Sequence, residues 1–173
     1  MITIIFKIMI SFYKKFNSPV GLIHIATDGK LLRILAIGDS WSRLKNILLD
    51  VIERDHPILL RTKKQLDEYF AHQRKNFDLP IDFKGTKFQN LAWKALLKVP
   101  YGETKSYAQQ AELIKNPKAV RAIGRANGLN PISIIVPCHR IIGKSGKLTG
   151  YASGLDNKKY LIDLEAMGSR VSI

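Results

Sequence analysis

NPKAVRAIGRANGLNPISIIVPCHRII, residues 116–142, reads as a helix, a turn and a buried segment that ends on a cysteine and a histidine. Asn116 followed by Pro117 is a strong helix start: a capping side chain, then a residue whose missing N–H costs nothing in the first turn. Gly128 is the matching stop. Residues 118–128 are therefore expected to form a helix of about three turns. Lys118, Arg121 and Arg125 fall at i, i+3 and i+7 on one side of it, and Val120, Ile123 and Ala126 on the other. The apolar side is expected to pack inward and the basic side to face out. ISIIV, residues 132–136, reads as a buried strand. Pro137 cannot donate to a ladder and is expected to end that strand where Cys138 sits.

Upstream, Ser106 and Gln109 form a capping box for a short helix. Two short helices joined by a tight connection have the form of a helix-turn-helix. Before them, Phe88, Leu91, Ala92, Ala95 and Leu96 make one helix stripe, ended by Pro100 and Gly102. QRKNFDLPIDFKG, residues 73–85, has no sustained period and is expected to be a linker. It divides the chain into an N-terminal part, residues 1–80, and a C-terminal part, residues 86–173. In the first part GLIHIAT and LLRILAI flank Asp28-Gly29, a hairpin signal. Trp41 to Glu53 carries Leu44, Ile47, Leu48 and Val51 at helical spacing. Ile58 to Phe70 continues with Leu59, Leu66 and Phe70 after His56-Pro57. MITIIFKIMISFYKKF, residues 1–16, is expected to be a strand. Its apolar run is too short to span a bilayer, and its positive charges follow rather than precede that run, unlike a signal peptide. Met9 is an alternative start. After Cys138, glycines at 143, 146, 150 and 154 mark loops, and Asp156 is expected to cap a final helix through Met167. The fold class is α/β in two parts.

Composition narrows the function. The 173 residues are 46% hydrophobic and 24% charged, an ordinary globular balance. One cysteine allows no internal disulfide, which points to a reducing compartment, most simply the cytoplasm. Lys and Arg number 28 against 14 acidic residues, a net +14. A field of that size favours a polyanion, nucleic acid before anionic membrane. In that setting the basic face of the helix from Lys118 points to DNA contact.

Taken alone, a cysteine after an apolar run is more often inert packing than chemistry. The flanks of Cys138 argue otherwise. His139 and Arg140 bring donors and positive charge, which favour thiolate. Adjacent side chains of an extended chain point to opposite faces, so contact between Cys138 and His139 needs a turn or a bridging water. The histidine in turn needs an orienting carboxylate, for which Glu165 on the last helix is the candidate.

PCHR, preceded by Asn130-Pro131 and followed by GKLTGYASGL and a helix ending in LE, resembles the O6-alkylguanine-DNA alkyltransferases, also called methylated-DNA–protein-cysteine methyltransferases. The likeness extends through GTKFQNLAWKALLKVPYGETKSYAQQA and KAVRAIGRANGLNPI, covering the whole second part. SPVGLIHIATDG and QLDEYF before FDLP are similar to the family's N-terminal domain more loosely. The resemblance implies a ribonuclease H-like small sheet with helices, then a mostly helical, winged-helix-like domain with a helix-turn-helix. It implies that Cys138 is the alkyl acceptor, His139 a water-mediated base, Glu165 its orienting carboxylate and Asn130 the residue that orders the cysteine loop. Tyr107 would lie against the flipped base and help protonate the leaving guanine. Arg121 would enter the stack through the minor groove. Tyr151 and the backbone around Ala152 and Ile141 would line the base pocket; Lys118 and Arg125 are expected to meet DNA from the helix's basic face, independently of the resemblance.

The implied chemistry is stoichiometric transfer from O6-alkylguanine in double-stranded DNA, with O4-alkylthymine as a second candidate substrate. It implies a monomer, no cofactor and no membrane. The cysteine-based zinc site of the family's animal members is ruled out, since Cys138 stands alone; His24, His56 and His72 are scattered and are taken as structural or surface residues. Three other readings compete. A damage sensor would bind the lesion without transfer, but that class replaces the acceptor cysteine. A helix-turn-helix regulator explains Arg121 and Arg125 but not PCHR. A cysteine hydrolase draws its histidine from far along the chain, and no oxyanion-hole pattern stands out here.

Overall fold

The computed structural model describes residues 11–48 and 50–170. The alternative start at Met9 and most of the expected first strand lie outside the described residues. β1 (Ser11–Ser18), β2 (Gly21–Thr27) and β3 (Leu32–Ile37) form an antiparallel meander, and β4 (Val51–Glu53) adds to β1 in parallel, giving the order β3-β2-β1-β4. The β2–β3 hairpin turns at Asp28-Gly29, as expected. Gly29 takes φ +85°, and the Asp28 carboxylate accepts from the Lys30 and Leu31 amides at 3.0 and 2.9 Å.

Side chains alternate across the sheet. Ile23, Ile25, Leu35 and Ile37 face the main core. Ala26, Ile34 and Ala36 face a second cluster closed by Leu48, Trp41 and Leu44. That second face corrects the helix expected over Trp41–Glu53. Only α1 (Ser40–Leu44) is α-helical; a 3-10 turn follows at Lys45–Ile47, Asp50 takes φ +46°, and Val51–Glu53 is β4. Spacings of three and four fit a chain curling over a sheet face as well as they fit a helix. The open edge of β1 then claims β-branched Val51 and Ile52.

α2 (Pro57–Phe70) starts with the His56 ring accepting from the Ile58 amide at 3.3 Å and lays Leu59, Thr62, Leu66 and Tyr69 on the sheet. Residues 73–85 are not a loose linker. Gln65 bonds both the amide and the carbonyl of Asp78 at 2.9 Å, Leu32 N donates to Pro80 O at 2.8 Å, and Phe83 is buried against Trp93. Phe77, Leu79, Ile81 and Phe83 alternate inward along this arm, a period of two broken for the eye by Pro80.

α3 (Lys87–Leu96) opens on a capping box between Thr86 and Gln89. It buries Ala92, Trp93, Ala95 and Leu96, while Leu91, expected inside, is about half-exposed. Trp93 displaces it because its ring fills the core and its Nε1 donates to Ala126 O at 2.9 Å. β5 (Lys105–Ser106) leads into α4 (Tyr107–Leu113) through the expected Ser106–Gln109 box. After it, Asn116 makes no capping hydrogen bond; Pro117–Ala119 is a 3-10 turn, and α5 runs over Val120–Gly128. Gly128 ends α5 without a positive φ. Ile123 and Ala126 are buried, but Val120, expected with them, is exposed because the 3-10 turn shifts the helical phase before α5 begins. Gln110 and Asn127 exchange side-chain hydrogen bonds at 3.1 and 2.7 Å, and Gln110 also donates to Ala92 O, tying α3, α4 and α5 together.

β6 (Ile141–Ile142) pairs in parallel with β5. α6 (Leu155–Arg170) runs past the expected end at Met167, with Asp156 inside its first turn rather than before it. One apolar cluster joins β2, β3, α2, α3 and α6 around the Cys138 turn. Among the described residues no helix is long and apolar enough to cross a membrane.

Candidate active site

The strand expected over residues 132–136 is absent. Its backbone makes one bridge, to Leu35, and then turns at Ile134, φ +68°. The Asn130 side chain takes the place of a ladder. Its Oδ1 accepts from Ile132 N at 3.0 Å; its Nδ2 donates to Val136 O at 2.7 Å and to Cys138 Sγ at 3.2 Å. Pro137 sits at φ −84°, ψ +66°, and Cys138 N donates to Val136 O at 2.9 Å, an inverse γ-turn that points the cysteine into the protein. Cys138–Arg140 is then a single 3-10 turn, which is how neighbouring residues come to share one site.

All of this is buried. Cys138 is 6% exposed, His139 is fully enclosed and Glu165 is 1% exposed. His139 Nε2 lies 2.8 Å from Glu165 Oε1. A carboxylate partner assigns the proton to Nε2 and leaves the lone pair on Nδ1, which has no partner among the described residues. Arg140 binds Glu165 through Nε and Nη2 at 2.8 and 2.9 Å and Val99 O through Nη1 at 2.6 Å. Tyr69 OH donates to Glu165 Oε1 at 2.8 Å and Gly102 N to Oε2 at 3.1 Å. Burial pushes the Glu165 carboxyl up, but the hydrogen bonds and charges of His139 and Arg140 outweigh it and hold it at about 2.

Arg140 therefore does not serve the thiol, contrary to expectation; its charge is committed to Glu165. Burial pushes the Cys138 thiol up, against the Asn130 hydrogen bond and the positive charge of Lys158. The resting group is a thiol, not a thiolate, and needs a base. Burial also lowers His139, with the Glu165 hydrogen bond opposing, so its imidazole is neutral and able to accept.

A cleft of about 480 Å³ is lined among others by Tyr107, Arg121, Gly124, Thr149, Tyr151 and Ala152, with Cys138 and His139 outside its lining. Tyr107 OH donates to Thr149 O at 3.0 Å. Gly124 of α5 faces the Tyr107 ring, where a Cβ would stand 3.7 Å away, an ordinary contact. Arg121 and Arg125 on α5, and Lys118 just before it, are exposed, and only Arg121 reaches the cleft. Tyr151 lines it, with a hydroxyl that is buried and without a partner among the described residues. Ile141 is fully buried in β6 and lies outside the lining.

Three residues of the site went unnoticed in the sequence. Arg43 brings α1 to the cleft edge. Tyr69 reaches Glu165 from α2. Lys158 is fully buried, donates to Thr149 O at 2.7 Å, and lies 5.7 Å from the Tyr107 ring centre. Burial lowers its ammonium to about 8, while Cys138 opposes that shift. Its signal was spacing: Lys158, Leu161, Glu165 and Gly168 share the buried stripe of α6, where a lysine needs a reason. Lys158→Met is expected to move the Cys138 thiol titration further up, followed by thiolate ultraviolet absorbance against a Cys138→Ser blank. An unmoved titration would show that the ammonium does not act on the thiol.

Residues 87–167 match the family described as 6-O-methylguanine DNA methyltransferase, DNA binding domain, and residues 11–83 match its ribonuclease-like domain. The chain is 45% identical to the methylated-DNA–protein-cysteine methyltransferase of Methanosarcina acetivorans, over 89% of this chain and 97% of that one. It is 42% identical to the constitutive enzyme of that name from Bacillus subtilis, over 90% and 95%. The crystal structure of Mycobacterium tuberculosis OGT in complex with DNA superposes with a TM-score of 0.83 at 44% identity, covering 91% of this chain and 94% of that one.

Proposed function

Because this chain belongs to the 6-O-methylguanine DNA methyltransferase family, we propose that it repairs DNA by moving the alkyl group of O6-alkylguanine onto Cys138, once per molecule. The observation that carries this is the buried Cys138–His139–Glu165 arrangement, whose thiol acts electrostatically on Tyr107 and Tyr151 of the cleft. A neutral thiol is followed, in the same 3-10 turn, by an imidazole whose tautomer a carboxylate fixes, with no second cysteine in the chain to reverse a modification.

The steps balance without a cofactor. His139 Nδ1 takes the thiol proton through a bridging water, and Glu165 steadies the imidazolium. Lys158 and the Asn130 amide stabilise the thiolate as it forms. Sγ attacks the alkyl carbon, the O6–carbon bond breaks, and its electrons stay with guanine, which leaves after protonation assisted by Tyr107. The product is a thioether, which nothing in the chain can cleave.

A paired base hides O6, so the nucleotide must leave the stack. In this reading α4 and α5 act as a helix-turn-helix with α5 in the minor groove. Arg121 fills the space of the extruded base, and Lys118 and Arg125 meet phosphates. Tyr151 and the Ala152 backbone hold the base. The net charge of +14 steers the encounter. The protein works as a monomer in the cytoplasm.

Titration of a duplex carrying one O6-methylguanine with increasing protein tests this. Repaired lesions are expected to rise linearly and stop at one per protein molecule. Turnover beyond one, or lesion-selective binding without repair, would overturn the reading, the latter in favour of a damage sensor.

A further inference from the structure

The role of the N-terminal half in the chemistry turns on one hydrogen bond. Tyr69 lies near the end of α2, 96 residues from Glu165, and is fully buried. Its ring is held edge-on to Tyr101, with centroids 6.0 Å apart at 89°, and packs on Phe77 at 5.4 Å. Its hydroxyl donates to Glu165 Oε1, the oxygen that also accepts from His139 Nε2 and from Arg140 Nη2. Packing of the core would be served as well by phenylalanine. A phenol here instead draws on the charge that Glu165 offers the imidazole.

We propose that Tyr69 is a positioning residue of alkyl transfer: by sharing Glu165 Oε1 with His139 Nε2, it sets how strongly the carboxylate holds and charges the imidazole. The inference rests on the alkyl-transfer reading above. It gives the N-terminal half a part in the reaction, exerted through Glu165. Around His139 stand Glu165 and Lys158 on α6, Arg140 and Cys138 in its own turn and Tyr69 on α2; Tyr101 adds its ring against Arg140, at 5.8 Å. Of these, Tyr69 alone comes from the part of the chain before residue 86.

The sign follows from the shared oxygen. Without the phenol, Oε1 has one donor fewer, the carboxylate becomes more basic, and the imidazolium of His139 is better stabilised. Its pKa therefore rises. A more acidic phenol is a stronger donor and does the opposite.

The test uses the full chain with Tyr69→Phe and with 3-fluorotyrosine placed at position 69. His139 is titrated by NMR of its ring, and the single-turnover rate of methyl transfer from an O6-methylguanine duplex is followed against pH. Tyr69→Phe is expected to move the His139 titration and the acid limb of the rate up together by about half a pH unit, roughly threefold in proton affinity. The fluorinated side chain is expected to move both down. It preserves the shape of tyrosine, so it decides the matter if the phenylalanine variant folds poorly. Titrations that coincide with wild type in both variants would overturn the proposal. So would a shifted His139 with an unmoved rate limb. Wild-type protein that transfers nothing would instead overturn the alkyl-transfer reading, and would reduce Tyr69 to a structural contact.

Discussion

Cys138→Ser is expected to lower methyl transfer by roughly a millionfold, the scale of removing the nucleophile from a covalent catalyst, while the protein stays folded and DNA-bound. A serine hydroxyl ionises far above a thiol, and neither Lys158 nor a neutral His139 can close that gap. The fold has little reason to change. Cys138 makes one side-chain hydrogen bond, from Asn130 Nδ2, and a hydroxyl accepts it as well. Stability should stay within about 1 kcal/mol of wild type. Arg121, Tyr107 and Tyr151, which form the proposed DNA surface, are untouched. Equilibrium binding to duplex DNA is therefore expected to remain within about twofold of wild type, far less than the tenfold that 1.4 kcal/mol would bring. Rate and affinity measured on the same preparation check both halves. Residual transfer would place the acceptor elsewhere.

Glu165→Gln should be costly in two ways. Glu165 accepts from His139, twice from Arg140, from Tyr69 and from the Gly102 amide, almost wholly out of water. Glutamine keeps the shape but strands the buried Arg140 charge and turns an NH2 toward donors. Removing one partner of such a pair costs about 3–5 kcal/mol. With His139 free to rotate and its imidazolium unsupported, transfer is expected to fall by about 10²–10⁴-fold, the usual worth of a positioned base. The carboxyl's own titration supplies a check. It is held at about 2 when folded, against an ordinary value of 4.5. That stabilisation is complete above about pH 4.5 and is lost as pH falls toward 2, on the order of 3 kcal/mol. Denaturant unfolding of wild type should show this loss in that window, and Glu165→Gln should show much less of it. Parallel acid profiles would contradict the network.

Much of the fold is written in local chemistry. The Asp28-Gly29 hairpin and the Ser106–Gln109 box depend on residues within a few positions of each other, and both form as the sequence implies. The errors arise where a distant surface decides. Leu44, Leu48 and Val51 have helical spacing, yet the second face of the sheet and the open edge of β1 divide them among a helix, a coil and a strand. ISIIV has strand composition, yet one asparagine amide replaces a ladder. The active site divides in the same way. Cys138, His139 and Glu165 are legible in the sequence because PCHR and the closing helix carry the family's pattern. Lys158 is signalled only by its place on the buried stripe of α6, which a lysine alone does not mark as part of a site. Tyr69 could not be paired with Glu165 from sequence, since nothing local relates residues so far apart. The thiol's protonation departs from the sequence expectation for a related reason: charge beside Cys138 in sequence is spent on Glu165 in space.

The intact mass of the protein after incubation with a duplex carrying one O6-methylguanine, followed by peptide mapping, tests the central claim most directly. The account predicts a gain of one methyl group on every active molecule, carried by the peptide containing Cys138 and absent from Cys138→Ser. An unchanged mass in protein that binds the duplex, or a methyl group on any other residue, would contradict it.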